Sequence, residues 1–110
     1  MIFVAEIEER ALYAFATESE AIAHCEGLDV EAGIWLFWNS AGEPLEARFS
    51  VPNKRGLFSV ENGKYTLISA TQDHHAILVE ALDEILHYES ASPFESKTSV
   101  LNYLAAQSKS

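Results

Sequence analysis

At 110 residues, 48% hydrophobic and 22% charged, the chain has the composition of one globular domain, long enough for a single core without staples. Its 17 acids against 7 bases give a formal net charge of −10, a field that repels nucleic acid and anionic membranes and attracts basic partners. The imbalance is concentrated in residues 1–50, which hold ten acids and two bases, against seven acids and five bases in residues 51–110.

Ile2 to Ile7 alternates weakly and is rich in β-formers, so it is expected to be a strand, interrupted by Glu8-Glu9-Arg10. Ala11 to Ala16 is ambiguous: Ala and Leu favour helix, whereas Tyr13 and Phe15 suit a strand. A strand is preferred because a helix start follows directly. Thr17-Glu18-Ser19-Glu20 fits the capping box, in which the hydroxyl takes an amide one turn on and Glu20 reaches back. The helix from Glu18 to about Glu26 would bury Ala21, Ile22 and Cys25, and Gly27 would end it. Leu28 to Ala32 reads as a connector.

Gly33 to Phe49 forms the centre of the pattern: an apolar strand holding both tryptophans, a turn through Asn39, Ser40, Gly42 and Pro44, and an alternating second strand. Leu45, Ala47, Phe49 and Val51 share one side of that second strand, and Glu46, Arg48 and Ser50 the other. Trp35 and Trp38 lie three apart, so they face opposite sides of their strand. After the basic loop Pro52 to Gly56, the run Leu57 to Glu61, Asn62-Gly63, Lys64 to Ala70 reads as a second hairpin about an Asn-Gly turn.

Thr71 or Asp73 is expected to cap a main helix, His74 to Tyr88, with Ile77, Leu78, Ala81, Leu82, Ile85 and Leu86 at helical spacing. Ser90-Ala91-Ser92-Pro93 stops it, and a last short helix spans roughly Lys97 to Ala106. The fold class is therefore α+β. A small, mainly antiparallel sheet of about five strands, built from two hairpins, is covered by one main helix and joined by two short ones. Residues 1–110 form one domain with a frayed tail from about residue 107.

The lone Cys25 suits a reducing compartment, no secretory leader is visible at Met1 to Glu6, and no apolar run approaches the roughly 20 residues of a membrane helix. A cytoplasmic location is expected. His74, His75 and His87 lack the spacing of a metal site, and Cys25 falls on the inferred apolar helix face rather than beside a base. No phosphate loop, nucleophile elbow or nucleotide fingerprint occurs, so no enzyme, cofactor or metal is expected. A concave pocket converging on one of these histidines would favour an enzyme after all. A flat or convex acidic surface would favour a protein-binding role.

The run Ala21 through Cys25-Glu26-Gly27-Leu28-Asp29-Val30-Glu31-Ala32-Gly33, then Trp35-Leu36-Phe37 and Gly42-Glu43-Pro44-Leu45, with a later hairpin and helix, resembles small acidic bacterial immunity proteins. Such proteins belong to polymorphic toxin systems of bacterial competition, delivered by contact-dependent inhibition or type VI secretion. The resemblance covers roughly residues 13–88 and lies in scaffold residues. It implies a cognate toxin domain as partner, a basic one, and the phosphate groove if that toxin is a nuclease. The partner-facing residues expected on this reading are Glu26, Asp29, Glu31, Glu43 and Glu46, with Trp38 as an anchor. The alternatives are a regulatory or adaptor domain, or a homodimer joined through a sheet edge.

Overall fold

The computed structural model describes residues 1–56, 60–71 and 73–108. The chain is α+β. In order it forms β1 (Ile2–Glu6), β2 (Ala11–Phe15), α1 (Glu18–His24), α2 (Gly27–Glu31), β3 (Trp35–Trp38), β4 (Pro44–Val51), β5 (Lys54–Arg55), β6 (Val60–Glu61) and β7 (Lys64–Ser69). Then come α3 (Leu78–Ala81), a 3-10 turn at Leu82–Glu84 and α4 (Lys97–Ser108). Five strands make one antiparallel sheet in the order β2-β1-β3-β4-β7, and β5 pairs with β6 in a separate ribbon.

Alternation along the strands sends side chains to two cores. Phe3, Ala5, Leu12 and Trp38 join Leu78, Leu82, Phe94, Val100 and Leu104 on one face, beneath the C-terminal elements. Val4, Phe37, Leu45 and Tyr65 join Ala21 and Cys25 on the other, beneath α1 and α2. Both faces of β3 are thus apolar because both are covered, and Trp35 and Trp38 do point to opposite cores. The central hairpin forms as expected, with Gly42 at φ +80° and the Asn39 Oδ1 accepting the Ala41 and Glu43 amides.

Ala11–Phe15 is a strand, and the capping residue of α1 is Thr17, whose Oγ1 accepts the Glu20 amide at 3.2 Å. Glu20 reaches back one residue further than the capping box requires, to the Ala16 amide. Gly27 does not end this helix. It opens α2, which replaces the expected connector.

The second hairpin is also corrected. β6 pairs with β5, and β7 pairs with β4, so Asn62-Gly63 does not turn one strand onto the other; part of the expected first limb, 57–59, lies outside the described residues. Positive φ occurs at Gly33, Gly42, Arg10 and Asp73 but not at Asn62 or Gly63, so the primed turn is absent. The pair serves a different need. The Asn62 Oδ1 accepts the Leu28 amide at the start of α2, and the Gly63 amide donates to the Asn53 Oδ1 at 2.7 Å.

The expected main helix is the largest departure. Its apolar stripe contributes one helical turn, α3, and the 3-10 turn, which bury Leu78 and Leu82; Ile77, Val79 and Leu86 stay 47%, 47% and 62% exposed. Ile85 then becomes extended. The Leu86 and His87 amides donate to the Arg10 carbonyl at 2.8 and 3.1 Å, and the His87 carbonyl accepts the Leu12 amide at 2.9 Å. Three hydrogen bonds to the open edge of β2 satisfy backbone groups that a continuing helix would have left unpaired on the sheet. The longest helix is instead α4, whose first turn is closed by Ser96 and Ser99 exchanging backbone amides. Among the described residues no helix is long and apolar enough to cross a membrane.

Candidate functional site

β3 and β4 share a ladder only at Phe37↔Leu45 and Trp38↔Pro44, whereas β4 pairs with β7 along almost its full length. Beyond Phe37 the two strands part. The gap is a cleft of about 290 Å³, reached by Glu31 and Gly33 after α2 on one side and by His74 and His75 on the other. Gly33, at φ +80°, turns the chain from α2 into β3, and a chain segment between β7 and α3 brings in the histidines.

The histidines are fixed in a chain of contacts. The His75 Nε2 lies 3.0 Å from the Phe37 carbonyl oxygen, and its Nδ1 2.7 Å from the His74 Nδ1. A carbonyl only accepts, so the His75 Nε2 carries the proton there and its Nδ1 is left to accept from His74. The His74 Nε2 then faces the Glu46 Oε2 at 3.4 Å, a contact that is attractive when that nitrogen also holds a proton. The Trp38 ring stands edge-on to His75 (5.1 Å, 89°) and its Nε1 donates to the Ala76 carbonyl at 2.8 Å. Both nitrogens of His75 are therefore engaged inside the fold.

Burial is the main cause holding the His75 imidazole below its ordinary value of 6.5; the Phe37 carbonyl opposes that shift, and the nearby His74 adds to it. The unfolded chain takes up the proton near 6.5 and the folded chain resists it, so stability is complete above that pH and falls as the pH drops below it. In urea titrations between about pH 7 and pH 5, the native protein is expected to lose more stability than the His75→Gln variant. Equal losses would refute the assignment.

The expected site residues are dispersed. Glu26, exposed, precedes α2; Asp29 is half-buried within it; Glu31 is exposed at its end and accepts from the Asn53 Nδ2 at 2.6 Å. Glu43 is exposed in the β3–β4 turn, held by the Asn39 Nδ2 at 3.1 Å. Glu46 points to the opposite face of the sheet from Leu45 and enters the cleft. Of the set, only Glu31 and Glu46 meet in one cavity. Trp38 has no exposed surface, because both the β3 ladder and the C-terminal elements cover it, so it offers nothing to a partner. The tryptophan that lines the cleft is Trp35.

His74 and His75 were expected on the exposed first turn of a helix. They lie outside any helix, in the segment ahead of α3, with His74 exposed and His75 half-buried. Cys25 is a core residue: burial, with the Asp29 charge adding, pushes its thiol up to about 12, far from a reactive thiolate. Among the described residues, no group of three or more His, Cys, Asp or Glu side chains could hold a metal ion. No protein family matches the chain, and no curated protein or solved structure matches it either.

Proposed function

We propose that this chain is an immunity protein, a cytoplasmic inhibitor that binds a cognate bacterial toxin of basic surface and blocks it. One observation carries this reading. Among the described residues there are four ion pairs, two of them through histidine, and Glu26, Asp29, Glu31 and Glu43 take part in none. The negative charge of the α2 side is therefore not spent internally. It remains available to steer a cationic partner, with an association rate that falls as salt rises.

The test is capture on the tagged protein at low salt, released in steps of rising salt, followed by co-expression with the captured protein. A single basic protein whose toxicity is relieved supports the reading. Recovery of the bait alone from cells known to express a toxin would sink it. A homodimer through the sheet edge is disfavoured by β7, whose Leu67 amide already donates to the Glu18 Oε1 at 2.6 Å.

A small enzyme is the second reading, because a cavity does reach His74 and His75. Its candidate pair is His74 and Glu46, 3.4 Å apart, but the His74 Nδ1 already donates to His75 and the Nε2 faces Glu46, so His74 has no free nitrogen to act as a base. The cleft lining holds no Ser, Thr or Cys nucleophile, which weighs against it.

A further inference from the structure

We propose that His74 and His75 form an acid-released latch: three ring protons hold residues 73–77 against β3 and β4, and a fourth frees that segment and uncovers Trp38. The latch does not depend on the inhibitor reading.

The segment is anchored at its ends and loose between them. The Ala70 amide donates to the Pro44 carbonyl at 3.0 Å, and the Leu78 amide donates to the Gly42 carbonyl at 2.9 Å. Between these anchors, residues 73–76 make a single backbone-to-backbone hydrogen bond among the described residues, from the His74 amide to the Thr71 carbonyl at 3.1 Å. Asp73, His74, Ala76 and Ile77 are exposed, so little apolar burial holds the segment down. Side-chain contacts tie it to the sheet instead: the His75 Nε2 to the Phe37 carbonyl, His74 to Glu46, and the Trp38 Nε1 to the Ala76 carbonyl.

The two imidazoles have four ring nitrogens but only three places for a proton. One proton sits on the His75 Nε2, toward the Phe37 carbonyl. One lies in the 2.7 Å contact between the two Nδ1 atoms, and one fits on the His74 Nε2, toward Glu46. The pair then carries one positive charge. Losing the third proton gives up only the His74–Glu46 contact, at an imidazole 38% exposed, and leaves both His75 contacts in place. A fourth proton has no place. It would force a second N–H into the 2.7 Å between the Nδ1 atoms and set two cationic rings against each other. Withdrawing His75 relieves the conflict, and the next residue is Ala76, whose carbonyl holds the Trp38 indole.

The charges facing the pair fix the direction of the switch. Glu46 of β4 and Glu31 of α2 line one cavity beside His75, and Asp73 and Glu80 line a second. These acids draw protons toward the pair, while His74 itself opposes the fourth. Burial is the main cause that keeps uptake by His75 below 6.5, so release belongs to the acid side of neutrality.

The experiment follows the Trp38 indole N–H of the whole protein by NMR from about pH 7.5 to about pH 5. Its hydrogen-exchange protection is taken relative to N-acetyl-tryptophanamide at the same pH, with far-UV circular dichroism alongside. Protection is expected to fall roughly tenfold or more on the acid side while the dichroism is unchanged. His75→Gln, whose amide donates to Phe37 and accepts from His74 but gains no charge, should hold protection constant. His74→Gln should do the same, because its amide oxygen accepts from a charged His75; it serves as the test if His75→Gln does not fold. Constant protection in the native protein overturns the proposal. So does acid release that persists in either folded variant, or release that occurs only together with loss of the dichroism.

Discussion

Gly63→Ala is expected to lower the unfolding free energy by about 3 kcal/mol, since of Gly27, Gly33, Gly42 and Gly63 it is the one whose added Cβ would meet backbone most closely. A Cβ at position 63 would stand 2.0 Å from the Val51 carbonyl oxygen, 2.7 Å from the Pro52 carbonyl carbon and 2.9 Å from the Asn53 nitrogen. All three obstacles are backbone, and Pro52 has a fixed φ, so relief requires moving a chain segment. That segment carries Asn53, which ties three regions together. Its Oδ1 accepts the Gly63 amide, and its Nδ2 donates to the Gly27 carbonyl at 3.0 Å and to Glu31. The damage therefore spreads to α2 and its carboxylates. Gly33→Ala is the matched control: its Cβ would meet nothing within 4 Å, and only the φ of +80° opposes it, which costs about 1 kcal/mol. Urea unfolding of the two variants compares them directly. A Gly63→Ala variant no less stable than Gly33→Ala would show that the close approach is not rigid.

Trp38→Ala should be more damaging still to the fold as a whole, by about 3–5 kcal/mol. The side chain has no exposed surface and belongs to the core that joins β1, β2 and β3 to α3 and α4. Removing it empties the centre of that core, takes the aromatic edge away from His75, and strands the Ala76 carbonyl that the indole N–H satisfies. A small domain has a total stability of about 5–15 kcal/mol, so the variant sits near the point of unfolding. Trp38→Phe separates the contributions: it keeps most of the apolar volume and gives up the hydrogen bond, for a loss of about 1–3 kcal/mol. Denaturant midpoints, followed through the remaining Trp35, measure both. A Trp38→Ala loss below the Trp38→Phe loss would contradict the packing described.

The strands were legible wherever period and partner agreed. Phe3 and Ala5 against Ile2 and Val4, or Leu45, Ala47 and Phe49 against Glu46, are alternations that need no knowledge of the rest of the chain. Thr17 was legible because a cap acts within one turn. The failures lie where a distant group outbids a local preference. The helical stripe of Ile77 to Leu86 was broken by the Arg10 carbonyl and the Leu12 amide, residues far away in sequence. Asn62-Gly63 looked like a hairpin turn because its actual partners, Leu28 and Asn53, act through tertiary approach.

The site divides the same way. Glu31 and Glu46 were singled out for their charge, yet their shared cavity depends on a ladder that stops after two residue pairs. His75 and Asn53 carried no local signal of the roles they hold.

The parallel bridge between Ala11 and His87 also has a consequence for the order of events during synthesis. β2 leaves the ribosome well before Leu86 and His87, the residues that seal its outer edge. Until those residues follow, the nascent β1–β2 hairpin carries an open, hydrogen-bonding margin, the type of surface on which neighbouring chains join edge to edge. Acidic residues crowd the same stretch: Glu6, Glu8 and Glu9 lie in or beside that hairpin, and Glu18 and Glu20 follow it. Like charges so placed oppose edge-to-edge joining of nascent copies, so neutralising the acids around this hairpin is expected to raise aggregation during synthesis more than neutralising acids elsewhere.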